Sequence, residues 1–308
     1  MASRYEGCTH IIGDVFINDE TATDLRQLSC LEVIDGGLMV LNAAMLRDLD
    51  GLESLQYVAG DLRLARKAPL YGNVPALVSV TALSSLKAIG GSLAFRAPAL
   101  SSLYGLHNVR AIGQSLEIDD SNSELDFSGF SSLEIIGADL RFARNYSLSS
   151  LQGFDALETV GGSFQIDGDS ASLQSFDGAF PNVGCIGGRI YLSGQHQLLE
   201  QLDLLPKLRI VGSHVLVNGN TTVRSITMLR GVEQVHGTIE VKNNTILEEL
   251  DLSALQKVSG GMKVTNNPKL EECPLIELAS TIGAFDTSRI EDNARILVPD
   301  CASTATTP

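Results

Sequence analysis

Apolar positions along this chain follow two alternating rhythms. A short stretch with apolar residues at every second position, Gly-x-φ-x-φ, gives way to a longer one with them at every third, and the pair then recurs. The period-two stretches are 13–17, 36–40, 60–64, 91–95, 113–118 (one residue longer), 138–142, 162–166, 188–192, 212–217, 237–241 and 260–264. Their last apolar residues are separated by 23, 24, 31, 23, 24, 24, 26, 25, 24 and 23 residues, so eleven units repeat in register. Period two predicts a pleated strand with alternate side chains inward. Period three, as in Leu46, Leu49, Leu52, Leu55 and Val58, predicts a backbone that turns a corner at each inward residue, as leucine-rich repeats do. A single coil of this kind has no second layer to bury its apolar side. Stacking coils at the strand spacing of ~4.8 Å gives one continuous core and continuous parallel ladders. About six inward residues per coil, at roughly 1.5–3 kcal/mol each, make that core large for its narrow cross-section. The Gly-Gly and Gly-Ser pairs before each strand suit a sharp corner with positive φ.

The expected fold is therefore mainly β: a right-handed, leucine-rich-repeat-like solenoid of about eleven coils of ~24 residues with capped ends. One solenoid domain is expected over residues 1–301. Its N-terminal cap lies within 1–30, its repeats run to about 272, its C-terminal cap is 273–301, and 302–308 start a flexible tail or linker. Open solenoid ends expose core and strand edges, so they need caps. Cys8 and Cys30 bracket the first coil, and Cys273 and Cys301 bracket the non-repeating segment 274–300, where Leu275–Leu278 suggests a short amphipathic helix. The expected pairs are Cys8–Cys30 and Cys273–Cys301, which would imply an oxidising compartment and export; five free cytosolic thiols are the alternative. Cys185 is left over as a half-buried inert thiol.

Four later coils carry an asparagine three positions after the strand: Asn145, Asn220, Asn244 and Asn267. Such a column is expected to point inward and bond the backbone of neighbouring turns. Of the three sequons, those at Asn145 and Asn220 fall in this column, which leaves Asn243 as the glycan candidate in an exported eukaryotic protein.

The opening Cys8-Thr-His-Ile-Ile-Gly-Asp-Val-Phe-Ile17, the recurrent Leu-Glu-x-(Ile or Val)-x-Gly (31–36, 157–162) and Asn266-Asn-Pro-Lys-Leu270 before Cys273 resemble the receptor L-domain family. That family comprises the ligand-binding modules of the insulin and epidermal growth factor receptors, with relatives in microbial surface and fungal cell-wall proteins. The resemblance implies this scaffold and a non-catalytic role in binding. It leaves the ligand open, because the family shares a fold and not a partner. Eleven coils in one run exceed a single receptor L domain.

Charge narrows the partners. A formal net charge of −15 argues against nucleic acid and anionic membrane surfaces. It also gives a surface that repels its own copies, so a monomer is expected. No apolar run reaches the ~20 residues of a membrane helix, and Met1–Gly7 holds no apolar stretch of signal-peptide type. The chain is thus expected to be cytosolic, or the processed form of an exported protein.

No catalytic constellation, cofactor or metal site is expected. His214 and His236 lie on adjacent coils but out of register. Asp119 and Asp167 share a column ~10 Å apart; with Asp120, Asp126 and Asp169 they form either a solvated acidic face or a weak calcium site. Binding is expected on outward positions. The strand ladder runs Phe16, Met39, Arg63, Ala94, Glu117, Arg141, Gln165, Tyr191, Leu216, Glu240 and Lys263, with Phe16 beside Met39 and Tyr191 beside Leu216 as apolar anchors. The long coil carries seven extra residues within 67–75, placing Tyr71 and Asn73 on an inserted loop that suits binding. A second column, Val33, Tyr57, Ala88, Ala111, Ile135, Thr159, Cys185 and Ile210, is expected to be half-buried by a flattened cross-section in preference to forming a contact face. The leading reading is an extracellular or cell-surface module that recognises a protein or glycan. A structural envelope or wall protein is the alternative, and a polysaccharide-active enzyme a distant third.

Overall fold

A computed structural model describes residues 7–64, 74–121, 124–167, 173, 175, 176, 178–194, 199–284 and 288–294. It is a parallel β-solenoid of about eleven turns. Each turn contributes a two-residue strand to a narrow eleven-stranded sheet, from His10–Ile11 to Lys257–Val258. It also contributes a three- or four-residue strand to a broad twelve-stranded sheet, from Val15–Asn18 to Arg289–Glu291. Three late turns add a third sheet: Gln201–Leu202, Ser225–Ile226 and Glu249–Leu250.

The register is the one the spacing predicts. Ile17 lies against Val40 and Phe142 against Ile166. The 31-residue coil keeps step as well, with Leu64 against Phe95; its inserted segment, including Tyr71 and Asn73, lies outside the described residues. Within each broad strand the apolar positions are buried and the alternate ones outward, as in Val15, Ile17 against Phe16, Asn18. Period-three leucines such as Leu46, Leu49, Leu52 and Leu55 are fully buried. The middle turns fill with rings: Phe154 packs on Phe127, Phe130, Phe142 and Phe180 at centroid distances of 5.6, 5.3, 6.0 and 5.0 Å.

The corner between the sheets works differently from expectation. Of the glycines just before the broad strands, only Gly13 and Gly261 have positive φ. The others are needed because turns stack too closely for a side chain: a Cβ on Gly137 would lie 2.2 Å from the Gly113 carbonyl oxygen, and one on Gly187 2.2 Å from that of Gly161. Positive φ falls instead just after the broad strands, at Asn42, Asp120, Arg144, Asn243 and Asn266. Asparagine and aspartate tolerate that region better than most residues. Arg144 has only its ion pairs to favour the site.

Asn145, Asn220, Asn244 and Asn267 are fully buried. The Asn244 Oδ1 accepts the Asn220 backbone N–H at 3.0 Å, and its Nδ2 donates to the Val217 carbonyl at 3.3 Å. The Asn267 Oδ1 likewise accepts the Asn244 N–H at 3.1 Å. Asn145, Asn244 and Asn267 each close the turn before them in this way.

The C-terminal segment corrects one expectation. After the helix Cys273–Thr281, which buries Leu275 and Ala279, the chain returns as a twelfth broad strand, Arg289–Glu291, with Ile290 on Val264. Asn293 extends the asparagine column, its Nδ2 donating to the Val264 carbonyl at 2.8 Å and its Oδ1 accepting the Asn267 N–H at 3.0 Å. The repeat therefore runs on into the segment 274–300.

Cys8 and Cys30 are free thiols, so the expected link is not formed. His10 stacks on Val33, and that register carries Cys8 toward the buried Leu31 rather than toward Cys30. Cys30 sits one position away with an exposed side chain. Cys273 is disulfide-bonded; Cys301, the partner expected for it, lies outside the described residues. Cys185 is a partly buried free thiol.

Candidate functional site

The outward ladder of the broad sheet gathers most of the positions the sequence put forward. Phe16 pairs in register with Met39, and Tyr191 with Leu216. Phe16 is 49% exposed, while Met39, Tyr191 and Leu216 are partly buried. The Arg189 guanidinium lies 5.7 Å from the Tyr191 ring centroid, which holds one face of that ring. Arg63, one turn beyond Met39, is pinned by Asp61, with Nε to Oδ2 at 2.9 Å and Nη2 to Oδ2 at 2.8 Å. Its charge is therefore largely balanced within the chain.

At mid-length an ion-pair network crosses four turns. Arg141 donates from Nη1 to both Asp119 oxygens at 3.1 Å and from Nη2 to Asp167 at 2.9 Å, bridging the carboxylates over the small Ala143. Arg144 Nε reaches Asp120 at 2.7 Å, and Arg96 Nε reaches the same carboxylate at 2.9 Å. Burial pushes the Asp119 carboxyl above the usual aspartate range, although Arg141, Arg144 and Arg96 pull it down. Desolvation outweighing several nearby charges is the familiar balance of buried ion pairs. Asp120's hydrogen bond holds the Arg144 guanidinium more basic than usual. These aspartates spend their lone pairs on arginine, and among the described residues no cluster of His, Cys, Asp and Glu suits a metal ion. Asp126 accepts from the Ser128 N–H and hydroxyl at 2.9 and 2.7 Å, and Asp169 lies outside the described residues. His214 Nδ1 accepts the Thr238 N–H at 3.0 Å, a bond that fixes the corner and directs this nitrogen into the fold.

A hollow of about 250 Å³ opens at the N-terminal end, lined by Phe16, Ile17, Asp19, Thr21, Leu25 and Gln27 among others. Its described lining residues all belong to the first turn. The Thr21 hydroxyl and then its N–H hold the Asp19 carboxyl below the ordinary value. Phe16 thus borders both the hollow and the ladder.

Residues 7–71 match the family model described as Receptor L domain. Over that segment the chain is similar to receptor L domains. Comparison with curated proteins and with solved structures finds no match. Among the described residues, no helix is long and apolar enough to cross a membrane.

One feature escaped the sequence reading. The hollow joins residues from a broad strand and from the turn around the short 3₁₀ helix Arg26–Leu28, and no local motif signals that meeting. The narrow-sheet column, expected to be half-buried, is mixed. Tyr57, Ile135 and Ile210 are 40%, 48% and 39% exposed, and Val33, Ala88, Ala111, Thr159 and Cys185 are partly buried. The column faces outward along the flat side because each two-residue strand buries only its second position, such as Ile34, Val58 and Ile136. Asn243 is exposed, donating from Nδ2 to Asn218 Oδ1 at 3.1 Å.

Proposed function

We propose that this chain is an exported recognition module that binds a protein or glycan partner on the outward face of its broad sheet, without catalysing a reaction. The family match at residues 7–71 supports a receptor-type ligand-binding module. The observation that carries the choice of surface is the conjunction of the exposed Phe16, its neighbour Met39 and the adjoining hollow of about 250 Å³. A large apolar side chain left beside a concavity is the arrangement in which binding hot spots concentrate. Tyr191 with Leu216 supplies a secondary anchor, and Arg63 and Arg141 set the polar ground between the two.

Export is supported by the disulfide-bonded Cys273, which we assign to Cys301, closing the C-terminal cap in an oxidising compartment. Asn243 is the glycan site proposed for a glycosylating host. The second reading, a structural role in an envelope or wall, draws support from the unbroken stack of turns, which would serve as a spacer.

The test is a screen of the purified chain against glycans and candidate surface proteins, followed by variants. Phe16→Ser with Met39→Ser is expected to weaken partner binding by tenfold or more while the circular dichroism spectrum is kept; Tyr191→Ala is expected to cost less. Tyr71→Ala asks whether the inserted loop contributes. Full binding by the Phe16/Met39 variant would overturn the assignment of the face.

A further inference from the structure

The outward face of the narrow sheet carries a charge order with a symmetry of its own. A column of residues precedes the short strands, one per turn, and is tied together by backbone hydrogen bonds such as Gln56 N–H to Glu32 and Glu134 N–H to Arg110 carbonyl. Its charged members among turns two to nine are Glu32, Lys87, Arg110, Glu134, Glu158 and Arg209. Within the chain Arg110 Nη1 pairs with Glu134 Oε1 at 2.6 Å, Lys87 Nζ donates to Gln56 at 2.9 Å, and Arg209 Nη1 lies 3.7 Å from Glu233 of the tenth turn. When the column is laid against a second copy running the opposite way, with a two-fold axis along the strands between the fifth and sixth turns, each of these six charges also meets an opposite charge. Arg110 faces Glu134, Lys87 faces Glu158, and Glu32 faces Arg209, each pair occurring twice. Shifting the axis by half a turn ruins this, because it places either Arg110 or Glu134 on its own copy.

The neighbouring apolar column obeys the same axis. Large residues fall opposite small ones: Ile135 on Ala111, Tyr57 on Cys185 and Ile210 on Val33, following the observed stacking register. On the other side of this column lies the line of corner glycines, Gly113, Gly137, Gly161 and Gly187, whose turns are packed carbonyl to Cα. Without side chains there, a facing surface can approach closely.

We infer that the narrow-sheet face is a homotypic interface at which two copies of this chain pack antiparallel about an axis between Arg110 and Glu134. An isologous contact requires such self-complementarity. The patch spans about seven turn spacings of ~4.8 Å by about four residues of ~3.3 Å, on the order of 450 Å² per copy. That is about half the ~800 Å² per partner of a standard stable interface. Self-association is therefore weak and concentration-dependent. The overall charge of −15 on each copy opposes it, and salt at physiological strength screens that repulsion beyond ~8 Å while leaving contact pairs in force. This face is separate from the broad-sheet surface of the proposed function, so both can be occupied together.

The experiment is sedimentation equilibrium of the full chain at physiological salt, up to its highest soluble concentration. Wild type is expected to show a monomer–dimer equilibrium. Arg110→Glu and Glu134→Arg, each alone, put like charges across the axis and are expected to weaken association at least tenfold. An equimolar mixture of these two variants is expected to dimerise again, since each copy then meets the opposite charge. Lys87→Glu with Glu158→Lys repeats the logic at independent sites, should either first variant fail to fold by circular dichroism. Wild type that stays monomeric, charge reversals that associate unchanged, or a mixture that fails to regain dimers would each overturn the inference.

Discussion

Asn244 binds both neighbouring turns at once: it accepts from Asn220, donates to the Val217 carbonyl and donates from Nδ2 to Asn267 Oδ1 at 3.0 Å. Truncation would leave the Asn220 N–H and the Val217 carbonyl buried without partners, at about 1–3 kcal/mol for each. Asn244→Ala is thus expected to lower stability by about 2–4 kcal/mol in urea unfolding; a loss below about 0.5 kcal/mol would contradict this role. Asp119 gives a prediction in pH. Its folded value stands above the ordinary one because burial outweighs its arginines, so between the two values the native state holds more proton than the unfolded chain. Stability from this group therefore rises as pH falls through that window and is complete below the ordinary value. An NMR titration of Asp119 is expected to give a midpoint above that of an exposed aspartate, and Asp119→Asn to remove the corresponding slope from stability against pH. At this scale the asparagine column was legible, since a fixed offset from the strand has one geometric meaning. The Arg141 bridge was not, because it depends on how far side chains reach across three turns.

At the scale of the element, the strands follow from a change of period alone. Apolar residues at every second position require a pleat, and a three-residue period cannot form one. The same argument misses the twelfth strand, Arg289–Glu291. There Ser288 stands where the other units have a buried apolar residue, Met262 in the turn before, and a helix intervenes, although Ile290 and Asn293 keep the spacing of Val264 and Asn267. The Cys8–Cys30 pair was misread for a related reason: bracketing a turn does not bring side chains to the same face. Within the stack, stability concentrates where rings fill the cross-section. Phe154 is fully buried against four other phenylalanines. Phe154→Ala is expected to cost about 3–5 kcal/mol, measured by the urea midpoint with m unchanged. A cost under about 1 kcal/mol would mean that the turns relax individually to fill the gap.

For the whole molecule, stacked turns keep the two sheets as separate surfaces, one a mixed ladder beside a hollow and the other an apolar stripe edged by charge. Repeat proteins are stabilised between neighbours, so surface columns can vary freely while the inward register is kept. That is why the fold was readable from sequence and the ligand was not. Outward side chains answer to a partner that the chain does not contain. The most direct test of the account is hydrogen–deuterium exchange of the full chain with and without a partner taken from the glycan and protein screen. Protection is expected over residues 15–28 and 38–41, around Phe16, Met39 and the hollow, with little change on the narrow sheet. Protection confined to other surfaces, with 15–28 and 38–41 exchanging as in the free chain, would contradict it.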